Sequence, residues 1–191
     1  MNILTDCLPG WIEVDGKRLG IRTDFRIWIE FDRIMHQREL APKEKFFMIS
    51  ALCIEEKNLP CDLPPDRIID GLCDFYLCGG KAKGQEKQTT PVFSFCEDGG
   101  YIFAAFLSSY GVDLLSIPYM HWFVFSALLK GLDDSTRLMK IMSWRGAEPD
   151  KEKNPKRREF LRKMKELYAL PDSRTEEEKE QDIANALSEL L

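Results

Sequence analysis

The sequence predicts a mainly α fold, a compact multi-helix bundle of six or seven helices with a small N-terminal β-hairpin. Three observations carry that expectation. Apolar residues recur at spacings of three and four along most of the chain, which keeps them on one face of a helix. Proline or a capping residue opens nearly every such segment, and glycine closes several of them. Strand-like alternation is confined to residues 11–22 and to a short VFSF at 92–95.

In WIEVDGKRLGIR, residues 11–22, an Asp15-Gly16 pair separates two alternating segments, the strongest short-range signal of a tight hairpin. Thr23 and Asp24 then offer N-caps to a helix over about 24–38, where Phe25, Trp28, Ile29, Asp32 and Met35 keep helical spacing. Pro42 opens a second helix carrying Phe46, Ile49 and Cys53, which ends before Asn58 and Pro60. Pro64, Pro65 and Asp66 start a third, stopped by Gly79 and Gly80. The polar, Gly- and Lys-rich stretch that follows cannot bury a core and predicts a mobile loop near 80–91. The VFSF segment is expected to form a strand that pairs with the hairpin. A cap at Asp98 predicts a helix closed by Gly111, and Pro118 predicts the first turn of another, starting near Ser116 and ending at Gly131. That helix is apolar all round, which suits the centre of a bundle or a position against a partner. Asp133 or Asp134 is expected to cap a further helix through Leu138, Ile141 and Met142.

Residues 1–145 thus read as a helical core domain with an N-terminal hairpin. After a polar connection, Pro155 opens an amphipathic helix with Phe160, Met164, Leu167 and Tyr168 on one face, ended by Pro171. Thr175 and Glu178 make a capping box, and Ile183, Leu187 and Leu190 form a narrow apolar seam. Residues 155–191 are expected to form a C-terminal amphipathic helical hairpin.

Charge and length exclude several function classes. With 27 basic and 32 acidic side chains among 191 residues the net charge is −5, so the basic footprint of a duplex-binding domain is missing. The longest nearly apolar run, residues 117–129, is interrupted by His121 and Ser126 and falls short of the roughly 20 residues that a membrane span needs. The first eleven residues hold no basic side chain, and Asp6 and Pro9 interrupt any apolar leader, so a cytoplasmic location is expected. No nucleic acid and no membrane are expected as partners. The small net charge also hides a polarity. Residues 151–168 hold eight Lys or Arg against three Asp or Glu, whereas 172–191 hold two against seven. Opposite charges favour antiparallel pairing of the last two helices, or self-association through 155–191.

The residues offer little chemistry. Six cysteines lack any CxxC pair, and Cys53 and Cys73 sit among apolar neighbours, as small hydrophobes do. His36 and His121 are too few to complete a metal site from such spacings. Neither Gly79-Gly80 nor Gly99-Gly100 fits a phosphate-binding pattern. His121, among aromatic residues, reads either as a general base or as a core histidine bonded to a carbonyl. No catalytic residue, cofactor or metal is expected. Aromatic anchors favour protein interfaces, which makes Tyr119, Trp122 and Phe123 partner-binding candidates, although a core role suits them too. Phe160, Met164 and Tyr168 are the corresponding candidates on the amphipathic helix.

Residues 101–145, YIFAAFLSSYGVDLLSIPYMHWFVFSALLKGLDDSTRLMKIMSWR, resemble the core signature of the phage gene-product-fifteen family, with its YG-D-L, HW and KGL pattern in order. TDFR at 23–26 and KMKELYALP at 163–171 resemble it as well, while Val124 stands where family members often carry a basic residue. The resemblance implies a protein from tail-gene clusters of phages and prophages of Gram-positive bacteria, encoded just before the tape-measure gene. Tail assembly chaperones occupy that place. The function it implies is a chaperone of the host cytoplasm that binds the tape-measure protein by helix-in-groove contacts until tail-tube protein replaces it. A minor structural component of the tail is the alternative, and an enzyme using His121 a third reading. The family lends no catalytic residue.

Overall fold

The hairpin forms where the Asp15-Gly16 pair places it. Strands β1 (Trp11–Val14) and β2 (Lys17–Gly20) pair antiparallel, with Val14 opposite Lys17. Asp15 and Gly16 both take positive φ, 48° and 77°, the backbone that a two-residue turn needs to match the twist of its strands. The fold is taken from a computed structural model, which describes residues 2–55, 63–79 and 91–171. Alternation puts Ile12, Val14 and Leu19 on the buried face. That face lies on α3 (Pro65–Tyr76), where Gly71 permits close approach: a Cβ there would stand 3.2 Å from Ile12 Cδ1.

Helix α1 (Phe25–His36) starts where Asp24 accepts a hydrogen bond from the Arg26 amide, and it buries Phe25, Trp28, Phe31 and Ile34 on one stripe. It lies at the middle of the molecule, against α2 (Pro42–Cys53), α4 (Phe95–Tyr110) and α5 (Trp122–Lys130). Phe125 of α5 stacks on Phe25 at 4.7 Å and on Phe106 of α4 at 5.0 Å, so three helices meet through one aromatic column. Helices α6 (Arg137–Gly146) and α7 (Pro155–Leu167), with a 3-10 turn at Pro149–Lys151 between them, complete the described chain. The mainly helical class with a small hairpin is as predicted. Seven α-helices stand among the described residues. The loop expected near 80–91, apart from Pro91, and the seam of Ile183, Leu187 and Leu190 lie outside those residues.

Four local expectations are corrected. Residues 92–95 form no strand, because Ser94 caps α4: its side chain accepts from the Glu97 amide at 3.3 Å. Asp98 is therefore not the cap. It turns inward, fully buried, and receives two hydrogen bonds from Arg145 of α6, at 2.6 and 2.9 Å. Helix α5 begins at Trp122 rather than near Ser116, because residues 120–122 pair with 23–25 in an isolated bridge: Phe25 N donates to Met120 O at 2.9 Å and Trp122 N to Thr23 O at 2.7 Å. Finally, Thr136 caps α6, while Asp133 holds the turn before it through the Ser135 amide.

Helix α7 lies against α6. Tyr168 and Phe160 meet the Trp144 ring at 5.4 and 6.1 Å, and Lys165 Nζ donates to Ala147 O at 2.9 Å. Two of its cations are paired with the residues just before it, Arg162 with Asp150 and Arg157 with Glu152.

Candidate functional site

The packing of α1, α3, α5 and α6 leaves two adjoining hollows, of about 320 and 330 Å³, with Phe93, Leu129 and Lys130 in the walls of both; the pair is termed the cleft. Its two ends differ in chemistry. At the apolar end the wall is Leu138, Met139 and Met142 of α6. Methionine has an unbranched, polarisable side chain that adapts to different partners, which is why such walls suit variable helical ligands.

At the other end α1 supplies Asp32 and His36, one helical turn apart and hence on one face. Tyr76 of α3 donates its phenol to Asp32 Oδ1 at 2.5 Å, and His36 Nδ1 donates to the Asp32 backbone carbonyl at 2.8 Å while standing 3.5 Å from Asp32 Oδ2. The Asp32 carboxylate, which accepts from the His36 ring, pushes the His36 pKa up to about 9, against the opposing effect of burial. His36 is thus a cation at neutral pH. Burial, reinforced by Asp32, raises the Tyr76 phenol far above its ordinary value, so it stays a donor. Lys130, at the end of α5, adds a second positive charge to the rim. The floor is Trp122, whose indole stacks on Tyr76 at 5.2 Å and donates to Tyr76 O at 2.8 Å.

This arrangement can hold an apolar strip beside a carboxylate. Apolar side chains would leave water against α6, and the anion would sit between an imidazolium and an ammonium, where charge-assisted bonds are stronger than neutral ones.

The residues proposed from sequence separate into three places. Trp122 and Phe123 are core residues, 3 % and 6 % exposed, and leave almost no surface for a partner beyond the edge of Trp122 in the cleft. Aromatic partners explain their burial: Phe123 packs on Phe75 at 4.7 Å. Tyr119 lies on the α4–α5 loop, half exposed, with its hydroxyl hydrogen-bonded to Thr23 Oγ1 at 2.7 Å. Phe160, Met164 and Tyr168 share α7; Tyr168 and half-exposed Phe160 pack on Trp144, and Met164 is half-buried. Leu167, expected on the same face, is 65 % exposed.

His121 does not sit within a helix but caps one. Nδ1 accepts from the Phe123 amide at 3.0 Å and Nε2–H donates to Pro9 O at 3.1 Å, so neither nitrogen is left for a substrate. Burial lowers its pKa and keeps it neutral. The enzyme reading loses its residue. Cys53 is as inert, its thiol pushed up to about 12 by burial. Among the described residues no group of three His, Cys, Asp or Glu is placed to hold a metal ion, and no helix is long and apolar enough to cross a membrane.

Sequence reasoning missed the cleft. Asp32 carried the available signal, a carboxylate at helical spacing within the stripe of Phe25, Trp28 and Met35, where a lone polar residue needs a partner.

No curated protein and no solved structure matches this chain. A family model described as bacteriophage Gp15 protein matches residues 4–170, which takes in every described element and the whole cleft. The chain belongs to the bacteriophage Gp15 protein family.

Proposed function

We propose that the protein is a tail-morphogenesis factor, a tail assembly chaperone that works in the host cytoplasm and holds a helical stretch of the tape-measure protein in the cleft. Membership of a bacteriophage family supports the setting. The observation that carries the binding mode is the cleft itself, with Met139 and Met142 at one end and His36 and Lys130 at the other. An amphipathic helix laid in such a groove reads as apolar anchors at helical spacing, here with an acidic residue towards α1. The role is binding rather than chemistry, and tail-tube protein would later displace the chaperone.

Co-expression of the full chain with tape-measure segments tests this reading. A stable complex, recovered together after two affinity steps, is the expected result. Failure of every segment to co-purify would contradict it. Mass spectrometry of purified virions separates the chaperone from a minor tail component: absence of the protein is expected, and stoichiometric presence would favour the structural alternative.

A further inference from the structure

Helices α3 and α7 each turn outwards a charged face that nothing in the described chain neutralises. On α3 the exposed carboxylates Asp66, Asp70 and Asp74 repeat at intervals of four, opposite the buried Ile68, Leu72 and Phe75, and exposed Leu77 continues their row. On α7 the exposed Lys156, Phe160, Lys163 and Leu167 keep intervals of four, three and four, on the side away from Lys165 and Tyr168, which meet α6. Among the described residues none of these charged side chains has a hydrogen-bond or ion-pair partner. Both rows cost their own helix stability. Asp70 and Asp74 are like charges four apart, and Asp74 stands in the last turn of α3, where the helix dipole disfavours an anion. Lys156 has the converse fault in the first turn of α7, which holds no acidic residue. The two helices are opposite in sign as wholes, with three carboxylates against Arg67 on α3 and six cations against Glu159 and Glu166 on α7.

We propose that α7 of one copy of this chain docks antiparallel on α3 of a second copy. Asp74 then faces Lys156 and Asp66 faces Lys163, because the two rows measure about 12 and about 10.5 Å at roughly 1.5 Å per residue. Phe160 covers the half-buried Cys73 between Asp70 and Asp74. Each misplaced charge gains a partner of opposite sign. Every copy carries both faces, so the contact is head to tail and extends beyond two copies wherever a pair does not close on itself. One pair of helices this short stays below the roughly 1,200 Å² of a stable interface, so association is weak, reversible and sensitive to salt. This goes beyond the chaperone reading and does not depend on it, since the contact needs no tape-measure partner.

Sedimentation velocity of the full chain and two variants tests the contact. Asp70→Lys with Asp74→Lys blocks the receiving face, and Lys156→Glu with Lys163→Glu blocks the docking face. Asp74→Lys and Lys156→Glu suit the dipoles of their own helices, so urea midpoints no lower than that of the unaltered chain are expected. The unaltered chain should associate at high micromolar concentration in low salt and dissociate in half-molar salt. Each variant alone should associate at least tenfold more weakly. A mixture of the two should form a heterodimer, because α7 of the first and α3 of the second are unaltered. The milder Asp74→Asn and Lys163→Gln should each weaken association severalfold. An unaltered chain that stays monomeric, variants that associate as it does, or a mixture without heterodimer would overturn the proposal. Loss of association confined to the α7 variant also overturns it, since α7 would then dock elsewhere than on α3.

Discussion

Two carboxylates of this protein, Asp98 and Asp32, meet basic partners in opposite surroundings. Asp98 is fully buried, and the Arg145 side chain that bonds it in two places is 8 % exposed. Asp32 is 18 % exposed, and the His36 side chain beside it is 78 % exposed at the mouth of the cleft. The difference separates structure from binding. Arg145 spends its donors on Asp98, Val92 O and Tyr168 O, tying α4, α6 and the end of α7 together. His36 keeps one nitrogen and most of its ring for whatever enters the cleft.

Breaking the buried pair gives the largest expected effect. Arg145→Met leaves an uncompensated charge at Asp98 and should lower stability by about 3–5 kcal/mol in urea denaturation at neutral pH. The double change Asp98→Leu with Arg145→Met should recover much of that loss, because the desolvation of both charges disappears with them. A single change as mild as a surface substitution would remove the contrast between the two pairs. His121→Ala comes next, at about 1–2 kcal/mol, since it removes a helix cap and leaves the Pro9 carbonyl without its donor.

His36→Gln should change stability by less than about 1 kcal/mol, as exposed pairs do. Its effect depends on pH in a defined direction. Folding raises the His36 pKa from about 6.5 to about 9, so its contribution is fully present below pH 6.5 and is lost as pH rises through 9. His121 has the opposite sign. Its folded pKa is lowered, so the neutral ring favours the folded state above pH 6.5, and that contribution falls as the solution is acidified. The sequence holds only two histidines, so NMR titration of the imidazole protons reads both directly. One should titrate near pH 9 and vanish in His36→Gln, and the other should titrate below 6.5. Two ordinary values would show that Asp32 does not hold His36 in its charged form.

The sequence spelled out the local devices. Asp15-Gly16, the cap at Asp24, Pro42, Pro65 and Pro155 each act within a few residues, and each begins an element where expected. What it hid depends on residues far apart. Asp98 reads as a helix cap until Arg145, 47 positions later, is folded against it, and Ser94 takes the capping role in its place. Pro118 suggests a first turn, but the pairing of residues 120–122 with 23–25 keeps the chain extended there. The cleft is hidden for the same reason. Its polar end joins Asp32 with Tyr76, 44 positions apart, and its shared wall joins Phe93 with Leu129. Trp122 and Phe123 show the converse limit. Aromatic residues suit cores and interfaces alike, and only the neighbouring Tyr76 and Phe75 rings decide for the core.

The central claim is that the open cleft, and not the other exposed apolar surface, receives the helical partner. Paired co-purification of tape-measure segments with two variants of the full chain tests it most directly. Met142→Glu places a charge in the cleft wall, and Phe47→Ser alters a 60 % exposed ring on α2 away from it. Both should fold with urea midpoints close to that of the unaltered chain. The account predicts that Met142→Glu loses the partner at least tenfold while Phe47→Ser retains it. Retention by the cleft variant, or equal loss by both, would contradict it.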